Sequence, residues 1–185
     1  DTTNSILAHI GITNSLPFLN IILPVGISFY TFESISYIID VFRKKMPAEE
    51  SILNYGFFIS FFPHLVAGPI VRASDFLPQL RNKIVLHYEN LKIGLTFIAW
   101  GIVKKAVFAD NIAPLVNLVY SDPTGYSSIP IILATLAFGI QIYCDFSGYT
   151  DIAIGSARLF GLVLPINFNK PYFARNPADF WRRWH

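Results

Sequence analysis

Residues 129–144 read Ile-Pro-Ile-Ile-Leu-Ala-Thr-Leu-Ala-Phe-Gly-Ile-Gln-Ile-Tyr-Cys, sixteen positions without a charged side chain. The run predicts an apolar helix whose register continues into Asp145, so that Gln141, Asp145 and Gly148 share one face. The rest of the chain has the same character. Hydrophobic residues make up 53% and charged residues 14%, with a mean hydropathy of +0.47, whereas soluble domains carry roughly a quarter charged residues. That balance predicts an all-α, polytopic membrane helical bundle. The net charge of +2 is small, and the basic residues sit between apolar runs instead of forming a stripe, which sets nucleic acid aside as a partner. The lone Cys144 excludes an intramolecular disulfide framework and a cysteine-built zinc site, and is expected as a small buried hydrophobe.

Toward the N-terminus, Leu91–Ala109 is predicted as a further span, with Lys104 and Lys105 near its far end, where long side chains can reach the interface. Asp110–Ser128 then reads as a short external connection, because Asp122-Pro123-Thr124-Gly125 is a turn and the stretch holds no lysine or arginine. Asn54–Val71 is apolar but interrupted by Pro63-His64 and Gly68-Pro69. Broken backbone at membrane depth must be buried in protein or line a cavity, so this segment is predicted to be re-entrant. Arg43, Lys44 and Lys45 before it, and Arg72, Arg81, Lys83 and Lys92 after it, place both flanks on the cytoplasmic side. Ile21–Phe42 is another span, about twenty residues at 1.5 Å each. It carries Glu33 among Ser28, Thr31, Ser34 and Ser36, and such a charge must face protein or water. Glu33 reads equally as part of a polar seam or as a substrate contact. For His64, satisfying freed carbonyls is the preferred reading over a role as ligand or base.

Toward the C-terminus, Gly148, Asp151, Gly155 and Arg158 recur at helical steps and predict one small, polar face, the wall of a wet central funnel. Asp151 and Arg158 lie two turns apart, about 10 Å, too far for a direct pair. Leu164–Phe173 cannot be a regular helix, with two prolines and two asparagines. Asn176-Pro177-Ala178-Asp179 offers a cap for a helix beginning near Phe180, with His185 in its second turn. No cluster has metal-ligand spacing, and no glycine-rich phosphate loop follows a strand. The absence of linkers and repeats predicts one domain over residues 1–185. Without an initiator methionine or a signal-peptide pattern at Asp1, the chain is expected to be an internal piece of a longer protein.

Four runs then carry a resemblance: Leu23-Pro24-Val25-Gly26-Ile27-Ser28-Phe29-Tyr30-Thr31-Phe32, Phe61-Phe62-Pro63-His64-Leu65-Val66-Ala67-Gly68-Pro69-Ile70, Asp145-Phe146-Ser147-Gly148-Tyr149-Thr150-Asp151-Ile152-Ala153 and Asp179-Phe180-Trp181-Arg182-Arg183-Trp184-His185. In this order they resemble the membrane-bound O-acyltransferase (MBOAT) family, and within it the bacterial branch around alginate O-acetyltransferase. The resemblance implies a multi-pass enzyme of the bacterial cytoplasmic (inner) membrane. No cofactor is held; an acyl group, an acetyl in the first instance, passes from a cytoplasmic thioester donor (acetyl-CoA or an acyl carrier) to a hydroxyl of an extracytoplasmic polysaccharide. An extracytoplasmic acetyltransferase partner protein is expected to complete the transfer. His185 matches the histidine that ends the family's tryptophan-arginine motif, one of two polar positions at the reaction centre. The second, a histidine of a later helix, has no counterpart in the sequence, so the chain alone is expected to be inactive.

Acyl transfer needs a base for the hydroxyl proton and donors for the oxyanion. Histidine, with an ordinary pKa of about 6.5, suits the first task at neutral pH. His185 reads as that base or, by preference, as the group that orients the substrate beside the second histidine. Arg182 and Arg183 read equally as holders of donor phosphates and as interfacial anchors. Asp145, Tyr149, Asp151 and Arg158 are candidate funnel-lining or substrate residues; for the two aspartates, holding a neighbouring helix through Arg158 is the preferred reading, because a buried charge must be paired. Trp181 is a further candidate at the funnel, although it and Trp184 read first as packing residues. Outside acetylation, the alternatives are D-alanyl transfer to teichoic acid, in a related branch of the family, a transporter or channel with broken helices, and a non-catalytic scaffold.

Overall fold

The computed structural model describes His9 and residues 26–65, 68–82 and 87–185. Ile21–Val25, the predicted opening of the first span, lie outside the described residues, as does Lys83. Eight α-helices occur among the described residues: α1 (Ile27–Phe42), α2 (Ile52–Ser60), α3 (Phe62–Leu65), α4 (Ala73–Arg81), α5 (Tyr88–Ile102), α6 (Asp110–Ser121), α7 (Ser128–Leu159) and α8 (Pro177–Arg183). A π-helical segment, Val103–Ala109, joins α5 to α6. The all-α expectation holds, the only β-type pairing among the described residues being an isolated antiparallel bridge between Phe168 and Trp184.

The broken apolar segment is present. Helix α2 stops at Phe61, whose ψ of 98° leaves the helical region, and the single turn α3 takes Pro63 into its start, where no donor is missed. Gly26, at φ +79°, turns the chain into α1, and a Cβ there would lie 2.8 Å from the Leu65 carbonyl oxygen. Phe58, Phe61, Phe76 and Leu77 form the core between α2 and α4, closed by Ile154, Ala157, Leu162 and Leu164 from the end of α7 and the segment after it.

Three sequence expectations are corrected here. Asp110–Ser128 is not a short connection, because 110–121 continues the helix. Its apolar residues pack on α7, where Val116 is buried and the Tyr120 hydroxyl lies 3.1 Å from Thr135 Oγ1. The Asn111 amide donates to the carbonyls of Ala106 and Val107, both at 2.9 Å, and serves acceptors at the change of register. The apolar run 129–144 and the polar-faced run after it form one helix, Ser128–Leu159, of 32 residues, about 48 Å long at 1.5 Å per residue, in keeping with the register that runs into Asp145. It is the one helix among the described residues long and apolar enough to cross a membrane.

Second, the small, polar face of α7 is a packing seam against α5 rather than a wet wall. Gly148 meets Gly101 and Gly155 meets Gly94, so α5 and α7 run antiparallel with backbones almost touching. Added Cβ atoms would lie 2.5 Å from the Gly148 oxygen (at Gly101) and 2.5 Å from the Gly94 oxygen (at Gly155). Lys104 and Lys105 do not snorkel either: the π segment directs them at carboxylates of α7.

Helix α7 ends in a Schellman turn. Gly161 takes φ +76°, Leu162 N–H donates to the Ala157 carbonyl and Gly161 N–H to that of Arg158, both at 2.9 Å. The chain then folds back along α7. Gln79 of α4 receives the Val163 N–H at 2.8 Å and donates to the Val163 carbonyl at 3.0 Å, and the Tyr172 hydroxyl reaches the Gly139 carbonyl at 2.5 Å.

Candidate functional site

The fold-back segment brings α8 against the middle of α7. Asn176 caps α8 by accepting from Asp179 N–H at 2.8 Å, and Pro177 occupies the first helical position, as the sequence predicts. His185 does not lie in this helix, contrary to its expected place in the second turn. Helix α8 ends at Arg183, Trp184 turns extended, and Asn169 N–H donates to the Arg183 carbonyl at 2.9 Å. Pairing with Phe168 has taken the backbone away from the helix, a long-range effect that local spacing does not carry.

This geometry sets the His185 ring against Phe146 of α7, 4.7 Å between centroids, with Phe168 at 6.4 Å. Its Nδ1 lies 3.0 Å from Asn167 Oδ1, and Asn167 Nδ2 donates to Thr150 Oγ1 of α7 at 3.1 Å. Partial burial lowers the imidazole pKa below its ordinary value, although one edge of the ring stays open. An imidazole that stays neutral at neutral pH, held by a fixed amide and walled by aromatics, can accept a proton or a hydrogen bond from a substrate hydroxyl. Tyr143, Tyr172, Phe180 and Trp184 extend the aromatic wall.

One turn away, the aspartates serve a charge cluster. Lys104 Nζ lies 2.5 Å from Asp151 Oδ2, with both side chains 15% exposed, and Lys105 Nζ lies 2.7 Å from both Asp145 and Asp110. Helix holding by Asp145 and Asp151 therefore runs through the two lysines, not through Arg158. Tyr149 stands 5.4 Å under the Lys105 ammonium and borders a groove of about 240 Å³ with Phe62, Pro63, Gly68 and Ser156. Arg158 lies on the packing seam, its Cβ facing Gly94. Arg182 and Trp181 point outward; Arg182 reaches Asp179 only at 3.8 Å with its side chain 76% exposed, and Trp181 packs on Phe180.

Away from this site, Glu33 and His64 are both fully buried. Glu33 Oε2 lies 3.2 Å from His64 Nε2, and its Oε1 accepts from Val71 N–H at 3.3 Å. The His64 ring is enclosed by Phe58, Phe61 and Phe76, so the pair ties the broken segment to α1. Sequence reasoning missed Asn167, Thr150 and the pairing of Lys104 and Lys105. For Asn167 a signal existed: a polar, uncharged residue between Ile166 and Phe168 in a loop too apolar to be open solvent.

Among described residues, no group of His, Cys, Asp and Glu is placed to hold a metal. Comparison with known proteins gives a match of residues 45–185 to the model of the membrane-bound O-acyltransferase family. The probable alginate O-acetylase AlgI of Azotobacter vinelandii is 41% identical over the whole chain and 36% of its own length. The peptidoglycan O-acetyltransferase of Helicobacter pylori is 38% identical, over 90% of the chain and 37% of its own length. The teichoic acid D-alanyltransferase of Bacillus subtilis is 29% identical, over 90% of the chain and 42% of its own length. The chain thus spans little more than a third of the length of the first curated relatives it matches.

Proposed function

Since the chain belongs to the membrane-bound O-acyltransferase family, we propose that it is part of an enzyme that passes an acetyl group from a cytoplasmic thioester donor to a glycan hydroxyl outside the membrane. The observation that carries this reading is the His185 arrangement: a partly desolvated imidazole on Asn167, beside the aromatic wall of α7. His185 stands at the reaction centre and orients the acceptor hydroxyl or takes its proton, with a second histidine of the whole protein completing the pair. Asp145 and Asp151 hold the wall of the reaction chamber through Lys105 and Lys104. Tyr149 completes that wall beside the groove it borders, while exposed Arg182 and Trp181 suit contact with donor phosphates and with the membrane interface.

The acceptor is a polysaccharide. Identities of 38–41% to relatives named as acetylases of alginate or peptidoglycan, against 26–29% for relatives named as teichoic acid D-alanyltransferases, favour acetyl over D-alanyl as the group carried. The enzyme is a multi-pass protein of the bacterial cytoplasmic membrane, and an extracytoplasmic acetyltransferase receives the group and completes the transfer. In the full-length parent, His185→Ala abolishes O-acetylation of the cell's polysaccharide, measured as base-releasable acetate, while the amount of protein in the membrane stays unchanged. Normal ester content in that variant would sink the assignment.

A further inference from the structure

We propose that Asn167 is a positioning residue that sets the tautomer of His185, keeping the proton on Nδ1 so that Nε2 is the nitrogen that accepts a hydrogen bond from the acceptor hydroxyl. The inference rests on the place given to His185 above. Asn167 Nδ2 donates to Thr150 Oγ1 at 3.1 Å, and that bond turns the amide oxygen toward His185 Nδ1, 3.0 Å away. A carbonyl oxygen only accepts, so the hydrogen in the contact belongs to the imidazole. A neutral ring carries one N–H, and with it on Nδ1 the lone pair sits on Nε2.

The anchor is Thr150, in the middle of the long α7, so the orientation of the ring is tied to a rigid element rather than to the fold-back loop. The groups packed on the imidazole are Phe146 from α7 and Phe168 and Asn167 from the fold-back segment, none of which titrates. One hydrogen bond and partial burial therefore govern which nitrogen is free. A reacting group oriented in this way by a third residue is the general form of an activated acyl-transfer site.

The test uses the full-length parent in its native membranes, with radiolabelled acetyl-CoA as donor and label in polymer as readout, from pH 5.5 to 9. Asn167→Leu lowers transfer about tenfold at every pH, the effect of losing one hydrogen bond. Asn167→Asp can only accept from Nδ1–H, so at pH 8.5 it restores transfer to within about twofold of wild type. Its carboxylate also favours the imidazolium, and the acid limb moves up by about one pH unit. Were the amide reversed, with its nitrogen donating to the ring, the aspartate would be as inactive as the leucine at pH 8.5. That outcome, or wild-type rate and profile in Asn167→Leu, overturns the proposal. If the leucine variant does not accumulate, the acid limb of Asn167→Asp decides, and an unmoved limb overturns it. Wild-type transfer in His185→Ala refutes instead the place of His185 at the reaction centre.

Discussion

At the scale of single residues, the buried Glu33–His64 pair ties α1 to the broken segment. Glu33→Ala leaves the Val71 N–H and the His64 ring without their partner in a fully buried site. Leaving the buried Val71 N–H unsatisfied costs about 1–3 kcal/mol. Glu33→Gln keeps an acceptor for Val71 and is expected to cost clearly less, an order that thermal unfolding of the parent in detergent would check. Asp179 works in the opposite regime, at the surface. The Arg183 guanidinium and the Arg175 N–H hold its carboxyl below the usual carboxylate range. A carboxyl with a lowered folded-state pKa contributes stability that is fully present above its unfolded pKa, about 3.9, and fades as pH falls through the lowered value. The part Asp179 plays in the docking of α8 is therefore expected not to change between pH 5 and 8, checked by near-UV circular dichroism of the tryptophans of that segment in a His185→Ala background. On the function proposed above, the lowered pKa of His185 places the acid limb of acetyl transfer below about pH 6.5, since only the neutral ring serves there.

At the scale of elements, the contact of α5 with α7 depends on four glycines whose missing Cβ atoms let the two backbones meet. Gly155→Ala brings a methyl onto the Gly94 oxygen, and Gly101→Ala one onto the Gly148 oxygen, where no flexible side chain can give way. Each is expected to destabilise by about 1–3 kcal/mol, whereas Gly56→Ala, inside α2 with nothing within 4 Å, is expected to stabilise by about 0.5–1 kcal/mol in the same melting experiment. The seam also shows what a single sequence conveys. Spacing alone put Gly148, Asp151, Gly155 and Arg158 on one face. It did not say whether that face met water or a helix, because the matching pair Gly94 and Gly101 is separated from it by dozens of residues. The break at Pro63, the cap at Asn176 and the irregular stretch from Leu164 were legible, since their signals are local. The π segment was not: Val103–Ala109 has no distinguishing composition, and its register shift is stabilised by Asp145 and Asp151 of another helix.

At the scale of the whole molecule, the outer face of α7 carries Ile129, Ile132, Leu133, Leu136 and Ile140, all between 48 and 70% exposed. Apolar surface of this extent is stable only against lipid or further protein. With about 30 Å of hydrocarbon to cross, a helix of about 48 Å has length to spare for its charged half. Leu136→Arg is therefore expected to weaken membrane insertion of α7 by roughly 2.5–3.5 kcal/mol, measurable by glycosylation mapping of the isolated segment in microsomes. The return of the 160–185 segment along α7 bears on synthesis as well as on shape. Each anchor it uses, Gly139, Phe146, Thr150 and Gln79, lies upstream of it. A ribosome translating this message has thus made each of these four anchors before His185 emerges, and the segment meets them as it leaves the exit tunnel.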